Sequence, residues 1–139
     1  IVWFVNPEND SMEKLLAKMR ETANMMLDHL EFTFQTPNQP LSLETDLNFR
    51  RNLFLMYKES LQNIVKHSQA SSVEIEITEK EDVFILRVAD NGVGFDVTKP
   101  NNGNGLRNFY TRAKASGGEI EILSKPGGGT EVKYVKNYK

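Results

Sequence analysis

Asp90-Asn91-Gly92-Val93-Gly94-Phe95 places one carboxylate beside two glycines, directly after the short β-branched-rich run Phe84 to Ala89. Such a run signals a strand, and glycines just past its end let the backbone turn sharply or approach a flat ligand closely. A carboxylate at that corner only accepts hydrogen bonds. It suits the exocyclic amine of adenine and repels the carbonyl that guanine carries in the same place. The stretch therefore reads as the rim of a nucleotide pocket, although alone it is equally a tight turn between elements. Three further elements decide between the two: Lys58-Glu59-Ser60-Leu61-Gln62-Asn63-Ile64-Val65-Lys66-His67 before it, Gly103-Asn104-Gly105-Leu106 after it, and Gly127-Gly128-Gly129-Thr130 near the end.

In the first of these, Glu59, Asn63, Lys66 and His67 fall at i, i+4, i+7 and i+8 and share one helical face. A polar quartet on a helix is ordinarily a solvated surface. It becomes a site if the helix packs beside the glycine loops. Gly103 to Leu106 would put backbone N–H groups at the start of a helix, where the helix dipole favours an anion.

The elements that must position these groups follow from periodicity. Asp10 with Glu13 forms a capping box, and Met12, Leu15, Leu16, Met19, Ala23, Met26, Leu27 and Leu30 recur at three- and four-residue steps, predicting an amphipathic helix over about 10–30. Glu31 to Gln35 alternates as a strand, and Leu41 to Asp46 is a polar connector. A second helix runs from Leu47 to about Lys66 on the stripe Leu47, Leu53, Phe54, Tyr57, Leu61, Ile64 and Val65. Ser72 to Thr78 and Val83 to Ala89 form an antiparallel hairpin around Glu79-Lys80-Glu81-Asp82. That excludes the parallel setting of a dinucleotide-binding loop, which Asn108 also contradicts at the third glycine position, and no Gly-x-x-x-x-Gly-Lys-Ser/Thr is present. Asp96 to Asn104 reads as a polar cover, Leu106 to about Ser116 as a third helix stopped by Gly117-Gly118, and Glu119–Ser124 and Thr130–Tyr138 as the last strands. Ile1 to Val5 reads as the tail of an upstream segment or as an edge strand.

These pieces together resemble the ATP-binding, catalytic domain of bacterial sensor histidine kinases, in the superfamily shared with gyrase, Hsp90 and MutL. Lys58 to His67 looks like the N box, Asp90 to Gly94 like the first glycine box, Gly103 to Leu106 like the second and Gly127 to Thr130 like the third. The short lid is most similar to the nitrate-sensor and membrane-fluidity-sensor branch. Gln62 departs from the many relatives with an additional Asn there.

The resemblance implies an α+β fold: a two-layer sandwich with a mixed sheet of about five strands covered on one face by three helices. It implies ATP and Mg2+ as ligands, with Asn63 holding the metal ion, which takes few protein oxygens beside phosphates. Glu59 would position a water or the incoming imidazole. Lys66 and His67 would meet phosphate or sugar. Gly103, Asn104, Gly105 and Leu106 would cradle the triphosphate, Gly92 and Gly94 would let the chain pass close to adenine, and Thr130 would bond near Asp90. Arg107 and Lys99 are further phosphate candidates.

The implied activity is transfer of the γ-phosphate to a histidine on a dimerisation segment before Ile1, in a homodimeric full-length sensor that then serves a response regulator. Residues 1–9 would be the tail of that segment and 10–139 the catalytic domain. His29 lacks the following acid of an acceptor histidine. A serine kinase of the anti-sigma-factor type, a gyrase-like machine and a nucleotide-binding pseudokinase are the alternatives.

The 139 residues suffice for one domain with one core. A net charge of −2, with Lys and Arg scattered, gives no field for nucleic acid. The absence of cysteine excludes disulfides and thiolate metal sites. No apolar run approaches the roughly 20 residues that span a bilayer, so this piece is expected to be soluble; the resemblance implies a cytoplasmic domain of a membrane-bound full-length sensor, without membrane contact of its own.

Overall fold

A computed structural model describes residues 2–96 and 104–138. Five strands, β1 (Glu31–Gln35), β2 (Ser72–Lys80), β3 (Val83–Asp90), β4 (Glu119–Ser124) and β5 (Thr130–Asn137), form one sheet in the order β1-β2-β3-β5-β4. The β1–β2 pair is parallel and the others are antiparallel. Four α-helices accompany them: the short α1 (Val2–Val5), then α2 (Met12–Met26), α3 (Leu47–Asn63) and α4 (Asn104–Ala115).

Strand alternation divides the sheet into two faces. Val73, Ile75 and Ile77 of β2, Phe84, Leu86 and Val88 of β3, Ile120 of β4 and Tyr134 of β5 are buried. They meet Leu15, Met19 and Ala23 of α2, Phe49, Leu53, Tyr57 and Leu61 of α3, and Phe109 and Ala113 of α4 in one core. The opposite face carries charge, with Arg87 paired to Glu131 and, at 3.9 Å, to Glu74. This is the pattern of a largely antiparallel sheet covered on one side only. Within the core, Phe49, Phe84 and Tyr134 form a triangle of rings with centroids 5.8 to 6.3 Å apart. Tyr57 donates its buried hydroxyl to the Met19 carbonyl at 2.7 Å, pinning α2 on α3.

Local sequence signals were redirected in four places. The cap of α2 is Ser11, whose Oγ accepts the Lys14 N–H at 3.1 Å, rather than Asp10. Asp10 is instead drawn to Arg50, a buried guanidinium that also donates to Thr45 Oγ1 and to the Thr45 carbonyl. A buried cation must be paired, so the long-range ion pair outweighs a cap worth about 1 kcal/mol. Val2–Val5 is helical, not an edge strand, with Phe4 buried against Phe54 at 5.6 Å. The β2–β3 turn is only Glu81-Asp82, both at positive φ (53° and 65°), so Glu79 and Lys80 belong to the ladder. Finally, α3 does not run on as α-helix to Lys66: Ile64–Ser68 is a π turn.

Candidate functional site

Register sets the location. Asp90 ends β3 and sits opposite Thr130, the first residue of β5, while Thr130 in turn faces Ser124, the last of β4. The end of α3, the loop after Asp90 and the face of α4 converge above this end of the sheet and enclose a cavity of about 480 Å³. Its apolar walls are Ile64, Val88, Leu106, Phe109, Ile122 and Val132, and its polar groups include Glu59, Asn63, Lys66, His67, Asp90 and Thr130. A slot of this size, apolar with a few convergent polar groups, suits a flat heterocycle carrying a charged tail.

Asp90 is the acid of the apolar end. Its carboxylate accepts the Gly92 N–H at 2.8 Å and the Thr130 N–H, yet burial outweighs both and pushes its pKa above the usual carboxylate range. The group is thus held partly desolvated, with acceptor capacity for a ligand donor. Asn91 serves the scaffold: its Oδ1 accepts the N–H groups of Ser71 and Ser72 at 2.9 and 3.0 Å, fixing the exit of β3 to the entry of β2.

The polar quartet of α3 occupies one side of the same cavity. Glu59 and Asn63 lie on the regular helix and are half-buried, while Lys66 and His67 are exposed and come from the π turn. Asn63 and Glu59 offer oxygens, and no group of three or more His, Cys, Asp or Glu side chains forms a metal cluster among the described residues. One neutral amide oxygen with a nearby carboxylate fits magnesium, which takes most of its ligands from phosphate and water.

The glycines also answer to the surrounding chain. A Cβ on Gly92 would stand 2.2 Å from the Ser68 carbonyl oxygen, so the space that Gly92 leaves open is filled by the end of α3. Gly94, at φ 65°, faces the Lys125 carbonyl in the same way at 2.1 Å, and it lines the cavity with its backbone. Both residues let chain approach chain. Thr130 spends its hydroxyl on Ser124 Oγ at 2.8 Å, and its contact with Asp90 runs through the backbone. Asn104 and Gly105 fall in the first turn of α4, Leu106 is a wall residue, and Arg107 is an exposed residue of α4. Gly103 and Lys99 lie outside the described residues.

Sequence reasoning missed Ile122, Ser124 and Ser68, and gave Phe95, the last residue of the Asp90–Phe95 stretch, no role of its own. Phe95 lines the cavity and gives its N–H to Ser124 Oγ at 2.9 Å. The strand period did hold part of this, since Ile120, Ile122 and Ser124 alternate onto the inner face of β4. No comparable signal marked Ser68.

Comparison with known proteins gives a consistent result. The model of the family described as histidine kinase-, DNA gyrase B-, and HSP90-like ATPase matches residues 49–137. Sensor protein VraS of Staphylococcus aureus (strain COL) is 37% identical over 82 residues, which are 58% of this chain and 24% of that protein. The chain thus spans about a quarter of the length of the curated relatives it matches. In solved structures, the Acinetobacter baumannii histidine kinase AdeS superposes with a TM-score of 0.72 at 18% identity, covering 94% of this chain and 66% of that one. Full-length ShkA in complex with AMPPNP gives 0.71 at 19% identity, covering 91% of this chain and 30% of that one. The fold likeness therefore reaches across α2 and β1, which the family match does not.

Proposed function

Because the chain belongs to the histidine kinase-, DNA gyrase B-, and HSP90-like ATPase family, we propose that the cavity binds Mg-ATP and that the domain transfers the γ-phosphoryl group to a histidine of a sensor kinase's dimerisation segment. The supporting observation is a single cavity that joins a desolvated acceptor, Asp90, to the polar face of α3. Kinship with a sensor protein and fold likeness to AMPPNP-bound ShkA point the same way.

In this reading Asp90 accepts the adenine amine, and Val88, Ile122 and Val132 pack on the ring. Asn104, Gly105 and Leu106 start α4, whose N-terminal dipole faces the phosphates. A bound magnesium ion would neutralise phosphate charge, with Asn63 as its protein ligand. Lys66 and His67 donate toward phosphate oxygens. Transfer forms a bond from an imidazole nitrogen to the γ-phosphorus and breaks the bond to ADP. The imidazole proton goes to a carboxylate base on the acceptor segment, while Glu59 orients the ring.

The test is radiolabelled ATP with the isolated chain and then with a dimerisation segment from a kinase of this type. The expected product is an acid-labile, base-stable phosphoramidate on that segment only. Acid-labile labelling of the isolated chain that vanishes in His29→Ala would place the acceptor in the wrong segment. Absence of transfer despite tight Mg-ATP binding would leave a nucleotide-binding module in place of a kinase.

A further inference from the structure

We infer that Ser68 is a positioning residue for the phosphate end of the site: its hydroxyl ties together the π turn that follows α3, and so holds Lys66 and His67 at the cavity. The inference rests on the Mg-ATP reading and adds a residue that this reading does not use. π turns are rare, and each fits one more residue into a turn than the α-helix does. Ser68 is buried, and its Oγ donates to the Ile64 carbonyl at 2.8 Å, spanning the turn. The same Oγ accepts the Ala70 N–H at 3.1 Å, and Gln69 then ends the helix in the left-handed region at φ 54°.

The loop after Asp90 locks this turn from the other side. Val93 donates its N–H to the Ser68 carbonyl at 2.7 Å, and the missing Cβ of Gly92 leaves the room that lets the loop seat there. Asn91 closes the contact three and four residues on, at Ser71 and Ser72. The strand end that carries Asp90 and the turn that carries Lys66 and His67 are thereby one mechanical piece.

The experiment compares the affinities of Mg-ATP and adenosine, by calorimetry, for the wild type, Ser68→Ala and Ser68→Thr, with ligand-free melting alongside. Ser68→Ala is expected to weaken Mg-ATP by about tenfold while leaving adenosine within about twofold, and Ser68→Thr, which keeps the hydroxyl, to restore the ratio. Added to a Lys66→Ala/His67→Ala background, Ser68→Ala should cost Mg-ATP nothing further, because it acts through those two side chains. Equal losses for both ligands, no loss at all, or full additivity in that background would each overturn the inference. Should Ser68→Ala fail to fold, Ser68→Cys, with its weaker donor, supplies the same ratio. A wild type that binds neither ligand defeats the Mg-ATP reading, whereas one that binds both with a ratio insensitive to Ser68 defeats only the role of Ser68.

Discussion

Glu79 and Asp90 stand at opposite ends of the β2–β3 hairpin, and each accepts backbone N–H groups from a neighbouring segment. Glu79 takes those of Ser42 and Leu43 at 2.8 and 2.9 Å together with the Tyr138 hydroxyl. Some desolvation opposes its charge, but the hydrogen bonds prevail and hold its pKa below the usual range. For Asp90 burial comes first and its two N–H donors do not make up for it, so its pKa is raised. The Glu79 carboxylate, fully compensated by the fold, fastens the β1–α3 connector and the end of the chain to the sheet. The Asp90 carboxylate is left with acceptor capacity facing a cavity, a cost in the free protein that a ligand donor would relieve. Desolvation without full compensation is what sets Asp90 apart from Glu79 and supports the recognition role proposed for it.

The sharpest test of the contrast is adenine recognition. Asp90→Ala should abolish measurable Mg-ATP binding, and the wild type should prefer ATP to GTP by at least about two orders of magnitude, since guanine would set a carbonyl against the carboxylate. Equal affinities by calorimetry would break the assignment. Next in size is Asn63→Ala, expected to remove the magnesium dependence of ATP binding while the ligand-free melting temperature stays put. A fall of many degrees would make Asn63 a structural residue.

The two carboxylates should then differ in the sign of their pH effects on the free protein. Glu79 has a lowered folded pKa, so its contribution is present above its unfolded pKa and fades as pH falls through the folded value. Glu79→Gln should therefore lower the melting temperature by a few degrees at neutral pH, with the gap closing in acid and nucleotide affinity unchanged. Asp90 has a raised folded pKa, so stability is lost as pH rises through the window between the unfolded and the raised folded value. Asp90→Asn should leave the neutral-pH melting temperature unchanged or slightly higher. Melting curves of both variants from acid to neutral pH that moved in parallel would erase the distinction. Tyr138→Phe, which removes only one of the donors to Glu79, should give the smallest drop, below that of Glu79→Gln at the same pH.

Much of the fold was legible because it rests on short-range pattern. β1 falls at Glu31–Gln35, α3 begins at Leu47 behind Asp46, whose side chain accepts the Phe49 N–H at 2.8 Å, and the inner faces of β2 and β3 follow strict alternation. Three of the four misreadings share one cause, a distant partner stronger than the local signal. Arg50 claimed Asp10 from the cap of α2, Phe54 held Phe4 in a helix, and Ser42, Leu43 and Tyr138 drew Glu79 out of the expected turn and into the ladder.

By itself the amino-acid sequence determined which chemical groups are present and which of them share an element: an acid at a strand end, and a polar quartet at helical spacing. Only the tertiary structure decided that these share one cavity, that Gly92 and Gly94 answer to the carbonyls of Ser68 and Lys125, and that a π turn presents Lys66 and His67. Spacing along a chain encodes the local period of the backbone. Desolvation, close approach of backbones and the satisfaction of a particular carbonyl depend on segments that meet only after the sheet has brought them together.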